Sequence, residues 1–145
     1  MIVPDVNLLI YAYNSDAPHH SDAKGWWEDL LSSDEPVGMP WVTMLGFIRL
    51  MTHGAVLLTP LPAAHAIAHI RSWHTRPNVS VLEPGQRHLE VLGRMFKALG
   101  TAGRLTTDAH LAALAIEHQC ELCSNDADFA RFPGLRWRNP LTDAG

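Results

Sequence analysis

Three observations predict an α/β fold for this 145-residue chain, with helices on both faces of a central parallel sheet of about five strands. Short apolar runs recur along the chain, and each is followed by a stretch with helical spacing of apolar residues. The first run, residues 1–3, closes on Asp5, and residues 6–13 are apolar apart from Asn7. Asp is seldom buried without a partner or a metal. Further acids then recur at equivalent places, where a parallel sheet collects ligands beyond the carboxyl ends of its strands.

Taken in order, residues 1–3 read as a strand and 6–13 as a buried helix. Pro18 marks 16–20 as a loop. Residues 21–31 carry Ala23, Trp26, Trp27, Leu30 and Leu31 at helical spacing, with Ser21 or Asp22 near the cap. After the polar turn 32–36 comes a second strand, 37–39, and Pro40 opens a helix over 41–51. Residues 53–62 are irregular, bounded by Gly54, Pro60 and Pro62; residues 63–74 are helical, and Pro77 ends that segment. A third strand, 79–82, leads through Glu83-Pro84-Gly85 to a helix over 86–99 that stops at Gly100. The alanine-rich stretch 106–118 is a helix capped by Thr106 or Thr107. A fourth strand covers 121–124, a turn or short helix 126–132, and a fifth strand 135–137. There is no repeat, linker or low-complexity tract, so one domain spanning 1–145 is expected.

Composition narrows the function classes. An apolar fraction of 47% is that of a globular protein, and no run approaches the ~18 apolar residues of a membrane span. Residues 1–12 lack a basic region and a small-residue cleavage site, so a cytoplasmic protein without a secretory leader or membrane partner is expected. The net charge of −4 argues against a globally basic nucleic-acid binder, but the charge is uneven. Residues 1–48 hold only Lys24 against seven acids, whereas 49–145 hold ten basic residues against eight acids. Nine of the eleven basic residues are Arg, the side chain suited to bidentate phosphate contacts. Cys120 and Cys123 have CxxC spacing but no second pair, and two reduced thiols are the expectation.

The acids carry the chemistry. Asp108, in LTTDAHLAALAIEH, falls in the first turn of the alanine-rich helix, where the helix dipole favours a carboxylate. Asp126 and Asp128, in ELCSNDADFARF, follow the fourth strand, where Asp is also a common turn former. Each position alone reads most simply as a cap or a turn. Together, three distant segments deliver Asp to the end of the sheet where ligands bind. Clustered carboxylates repel one another, and a hard divalent cation removes that conflict. Such a cation can polarise a phosphoryl oxygen and supply an activated water.

On these residues the sequence resembles the PIN domain family, and within it the VapC-type toxins of type II toxin–antitoxin pairs, in particular a mycobacterial subgroup. The matching pieces are PDVNLLIYA, PWVTMLGFIRL, TTDAHLAALAIEH and CSNDADFARFPGLRWRNPL, which span nearly the whole chain. The resemblance implies a three-layer α/β/α PIN-like fold and an endoribonuclease dependent on Mg²⁺ (or Mn²⁺). Its substrate would be structured RNA such as tRNA or rRNA, cut so as to inhibit translation. Asp5, Asp108 and Asp126 would be metal ligands, Asp128 a further catalytic acid, and Asn7 and Ser124 the side chains that hold the carboxylates in place. It also implies a VapB-type antitoxin crossing the acidic groove with an Arg near the metal, and a homodimer.

One departure stands out. The helix after the second strand has no acid, and Gly46 occupies the position where many PIN domains place a Glu. Either Asp128 compensates, or the site binds metal weakly until RNA supplies phosphate oxygens, or the domain is an inactive scaffold that binds RNA or protein. A haloacid-dehalogenase-like phosphatase also begins with an Asp after its first strand, but it wants a second Asp where this chain has Asn7. His65 and His69 are four apart on a helix, yet no acid stands between them, and they are expected to play no part in a metal site. His110 should point away from Asp108. Arg49 either snorkels at its helix end or reaches a phosphate or a site acid. The five Trp residues are expected in the core or an interface, with Trp26 and Trp27 open to either.

Overall fold

The computed structural model of the chain describes residues 1–141. Five short strands, β1 (Ile2–Pro4), β2 (Val37–Pro40), β3 (Val79–Leu82), β4 (Glu121–Cys123) and β5 (Arg136–Arg138), form one parallel sheet in the order β3-β2-β1-β4-β5. Six helices connect them: α1 (Val6–Tyr13), α2 (His20–Leu31), α3 (Trp41–Met51), α4 (Ala63–His74), α5 (His88–Leu99) and α6 (Thr106–Glu117). The first three strands march outward from β1 in one direction. The chain then returns to lay β4 on the other side of β1, so the strand order reverses at the β1–β4 pair. Crevices at such reversals are the usual ligand sites of open α/β sheets.

Because side chains alternate across a strand, the sheet has a core on each face. One gathers Leu9, Ile10 and Ala12 of α1 with Trp27, Met44, Phe47 and Trp73. The other joins Val3, Leu82 and Leu122 to Met95 of α5, the small residues of α6 (Ala109, Ala112, Ala115) and the rings of Phe129 and Phe132. The alanines let α6 lie close on the sheet. Cys120 is buried in this packing and Cys123 in a separate cluster with Ile2 and Leu8, its thiol 3.7 Å from Nη2 of Arg138.

The expected elements all form, with shifts at their ends. β1 runs to Pro4, β4 ends at Cys123, and β5 lies one residue later than the hydrophobic pattern suggests. α2 starts at His20 with no side-chain cap, and α5 starts at His88. Gly100, at φ 72°, ends α5 in the left-handed conformation that glycine adopts freely. Neither Thr106 nor Thr107 caps α6. A 3₁₀ turn, Gly103–Leu105, runs straight into the helix, and the Thr106 hydroxyl bonds back to the Gly103 carbonyl at 2.7 Å. The segment after β4 is a 3₁₀ turn, Ala127–Arg131.

Trp27 and Trp73 are fully buried, which assigns both to the core, whereas Trp41 is exposed and Trp26 and Trp137 are half-buried. Trp73 packs edge-on against Phe47 and Trp27, with ring centroids 4.9 and 5.6 Å away, and donates its indole N–H to the Tyr13 hydroxyl at 2.8 Å. Replacing Trp73 by Ala should cost about 3–5 kcal/mol. Tyr13→Phe, which strands the indole N–H, should cost about 1–3 kcal/mol. Urea denaturation measures both, and a Tyr13→Phe variant as stable as wild type would remove that bond from the account.

Candidate active site

The register of the central strands brings the first acid and the late acids together. β1 pairs with β4 through Ile2–Glu121, Val3–Leu122 and Pro4–Cys123, so the residues that follow each strand emerge side by side. The Asp5 N–H donates to the Cys123 carbonyl at 2.9 Å, extending the pairing by one rung. Asp5 then caps α1: its Oδ1 accepts the Val6 N–H at 2.7 Å. Its second oxygen accepts the Ser124 hydroxyl, also at 2.7 Å.

Ser124 is fully buried and ties the two strand ends together. While donating to Asp5, its Oγ accepts the backbone N–H of Asp126 at 3.0 Å. Asp126 in turn accepts the Asp128 N–H at 2.9 Å and so starts the 3₁₀ turn. Asn7 touches this system differently from expectation. Its amide reaches the Ser124 hydroxyl at 3.5 Å rather than a carboxylate. Behind the site, Asn139 donates to Asn125, and the Asn125 amide reaches the Tyr11 hydroxyl, which pins the turn between Ser124 and Asp126.

Asp108 arrives from the other side. It sits in the first turn of α6 and lines a narrow cleft with Asp5, Val6, Val42, Thr43, Thr107 and Leu111. Thr43 is buried and donates its hydroxyl to the Pro4 carbonyl at 3.1 Å, fastening the start of α3 to the end of β1. A Cβ built on Gly46 would lie 3.3 Å from Val6, so the α3 face at that position closes on the residue next to Asp5. The space a longer side chain would enter is already lined by Val6.

Electrostatics confirm the crowding. Burial raises the Asp5 carboxyl above its ordinary range, against the hydrogen bonds from Ser124 and Val6, and Asp126 adds repulsion. Asp108 is pushed up to about 6, first by burial and then by the charges of Asp5, Asp126 and Asp128, with Arg104 opposing. The charges of the other three acids of the expected site therefore all reach Asp108. Of the ion pairs among the described residues, one involves these acids: Arg104 Nη1 to Asp128 Oδ2 at 3.8 Å. Both partners are exposed, so the pair contributes about 0–1 kcal/mol. Arg104 was not singled out by the sequence. Arg49 stays exposed in the last turn of α3, and no ion pair to a site acid is formed by it among the described residues.

The donor set consists of oxygens only, which suits a hard cation such as Mg²⁺. Among the described residues, however, no three His, Cys, Asp or Glu side chains converge closely enough to cage an ion. That arrangement fits an ion held by one or two carboxylates through direct contact and otherwise through water. The histidine pairs stand apart. His69 packs on the Tyr13 ring at 4.6 Å, and its pKa is lowered by burial and by His65. His110 bonds to His88 at 2.9 Å.

Comparison with known proteins agrees with this geometry. The PIN domain profile matches residues 2–135. Ribonuclease VapC33 of Mycobacterium tuberculosis is 45% identical over 143 residues, covering 99% of this chain and all of the relative. Ribonuclease VapC37 of the same organism is 41% identical, with 97% of each chain covered. Among solved structures, the Rickettsia felis VapBC2 complex bound to a promoter DNA fragment matches at TM-score 0.71 and 17% identity, over 96% of this chain and 98% of that one. The sarcin–ricin-loop-cleaving toxin VapC20 of M. tuberculosis matches at TM-score 0.62 and 19% identity, over 94% and 99%. This chain belongs to the PIN domain family. Its full-length likeness to the M. tuberculosis proteins places it with the mycobacterial-type VapC toxins. The phosphatase alternative falls with that membership.

The raised Asp108 carboxyl has a signed consequence. Protonation favours the metal-free fold below pH ~4, and that stabilisation is lost as pH rises through about 6. The melting-temperature advantage of Asp108→Asn over wild type, in EDTA, should therefore grow between about pH 4 and pH 6 and then level. Asp108 is half exposed, so solvent screens the repulsion and the difference should be on the order of a few °C. A difference independent of pH would remove Asp108 from the cluster.

Proposed function

We propose that this chain is a Mg²⁺- or Mn²⁺-dependent endoribonuclease, the toxin of a VapBC-type pair, hydrolysing phosphodiester bonds in structured RNA. The observation that carries the reading is the ring of acids from three distant segments, closed by the Ser124 bridge at the strand-order reversal. The ribonuclease names of relatives at 45% and 41% identity over the full chain support it.

Of Asp5, Asp108 and Asp126, one or two would contact the cation directly and the rest through water, with Asp128 at the rim. Bound there, the ion supplies charge stabilisation for the phosphoryl oxygens and lowers the pKa of a bound water. The chain's own residues set the geometry. Ser124 fixes the rotamer of Asp5 and the backbone of Asp126, Thr43 holds β1 against α3, and Val6, Val42 and Leu111 keep one wall of the cleft apolar. Because Gly46 adds no carboxylate, metal affinity without RNA would be weak, and RNA would be needed to strengthen it. The same glycine favours a second reading, a non-catalytic PIN scaffold that binds RNA or protein.

The partner in this proposal is a VapB-type antitoxin, as in the VapBC complexes whose toxins share this fold. An apolar groove between α3, α4 and β3, lined by Trp41, Ile48, Ile67 and Val81, offers surface for assembly, including a homodimer.

Cleavage of total tRNA and rRNA with Mn²⁺, alongside calorimetric Mn²⁺ titration, tests the proposal. Asp5→Asn should abolish cutting. Ser124→Ala should weaken metal binding and activity about 10–100-fold while remaining folded. RNA binding without cutting or Mn²⁺ uptake would favour the scaffold instead.

A further inference from the structure

We propose that Arg104 is a substrate-phosphate ligand, paired with Asp128 in the unloaded site and transferred to an RNA phosphate when the site's carboxylates are engaged. The inference rests on the ribonuclease reading and names a residue through which this chain would grip its substrate.

A site built from four acids repels a polyanion. A cation at its rim is needed if RNA is to be held before the carboxylates are neutralised. Arg104 stands at that rim. Its Nη1 is 3.8 Å from Asp128 Oδ2, and its side chain is 79% exposed. A guanidinium offers five donors in a planar fork. One long contact to Asp128 leaves most of that fork facing solvent, in the direction from which RNA arrives.

Placement makes the contact specific to this site. The 3₁₀ turn Gly103–Leu105 runs without a break into α6, and Arg104 precedes Asp108 by four residues, about one helical turn. Arg104 thus stands just ahead of the helical turn that carries Asp108. The positive charge of Arg104 is felt at Asp108, opposing the other acids there. The guanidinium thus contacts Asp128 and acts through its charge on Asp108.

Its pairing with Asp128 is exchangeable. When Asp128 turns toward a cation, directly or through water, the guanidinium loses its partner beside the place where a phosphate must sit. A carboxylate and a phosphate present oxygens at similar spacing, so the same fork serves both. The exchange keeps Arg104 charge-paired in both states, and it hands substrate to a site that has become less negative.

The test uses the full chain and a fluorescein-labelled RNA hairpin of about twenty nucleotides, with anisotropy in Ca²⁺ at several salt concentrations. Arg104→Gln should raise Kd about tenfold and reduce the slope of log K against log salt by about 0.7–0.9, one phosphate contact. Arg104→Lys should keep the slope. In Mn²⁺, Arg104→Gln should raise KM with kcat changed less than twofold, and Mn²⁺ affinity measured without RNA should not weaken. An unchanged melting temperature shows that the exposed substitution leaves the fold intact. If wild type binds and cuts RNA but Arg104→Gln has the same Kd and salt slope, the Arg104 assignment is overturned and the ribonuclease reading stands. If wild type neither binds nor cuts RNA, both are overturned.

Discussion

The parallel pairing of β1 with β4 is the constraint on which the site depends. It places the ends of two strands, 119 residues apart in sequence, within one hydrogen bond of each other through Ser124 and Asp5. Asp126 and Asp128 are fastened to that junction, and Asp108 reaches it from α6. The Asp5 carboxylate caps α1, the Ser124 hydroxyl sets the backbone of Asp126, and Asp126 sets Asp128. The junction is also where strand order reverses, so no crossover helix covers the carboxyl ends of these strands. Asp5 is thus held rigidly and half-buried, while Asp128 reaches toward solvent.

A rigid base makes the charge conflict unavoidable. Side chains on a flexible loop would move apart, whereas these are held by backbone hydrogen bonds and a buried serine. The fold retains this conflict: burial first, and then the charge of neighbouring acids, raises the carboxyls of Asp5 and Asp108. Retained repulsion of this kind is a recognised mark of functional sites, since groups merely shaping a turn are free to separate. Arg104 at the rim relieves only part of it.

Much of this was legible in the sequence, for definite reasons. Asp5, Asp108, Asp126 and Asp128 follow strand ends or open a helix, positions that hydrophobic periodicity locates well. Ser124 was legible by resemblance, and the structure gives its hydroxyl a hydrogen bond to Asp5 and another to Asp126. Asn7 was only half legible, because which partner an amide meets is decided by side-chain geometry across 117 residues. Arg104 was invisible: an exposed Arg in a Gly-Arg-Leu loop carries no periodic signal, and its pairing with Asp128 exists only once α6 and the last 3₁₀ turn are side by side. The start of α6 at Thr106 was legible but its cap was not, because a 3₁₀ turn stands where a side-chain cap was expected.

The distance between the two halves of the Ser124 bridge also governs when the site comes into being. Its first acid is made 119 residues before the serine that bridges it to the last acids. β4 inserts beside β1, between strands laid down early and β5, so a nascent chain holds Asp5 at the edge of an unfinished sheet. Long-range parallel pairing is intrinsically slow to form. The site is therefore complete only once β4 has paired with β1.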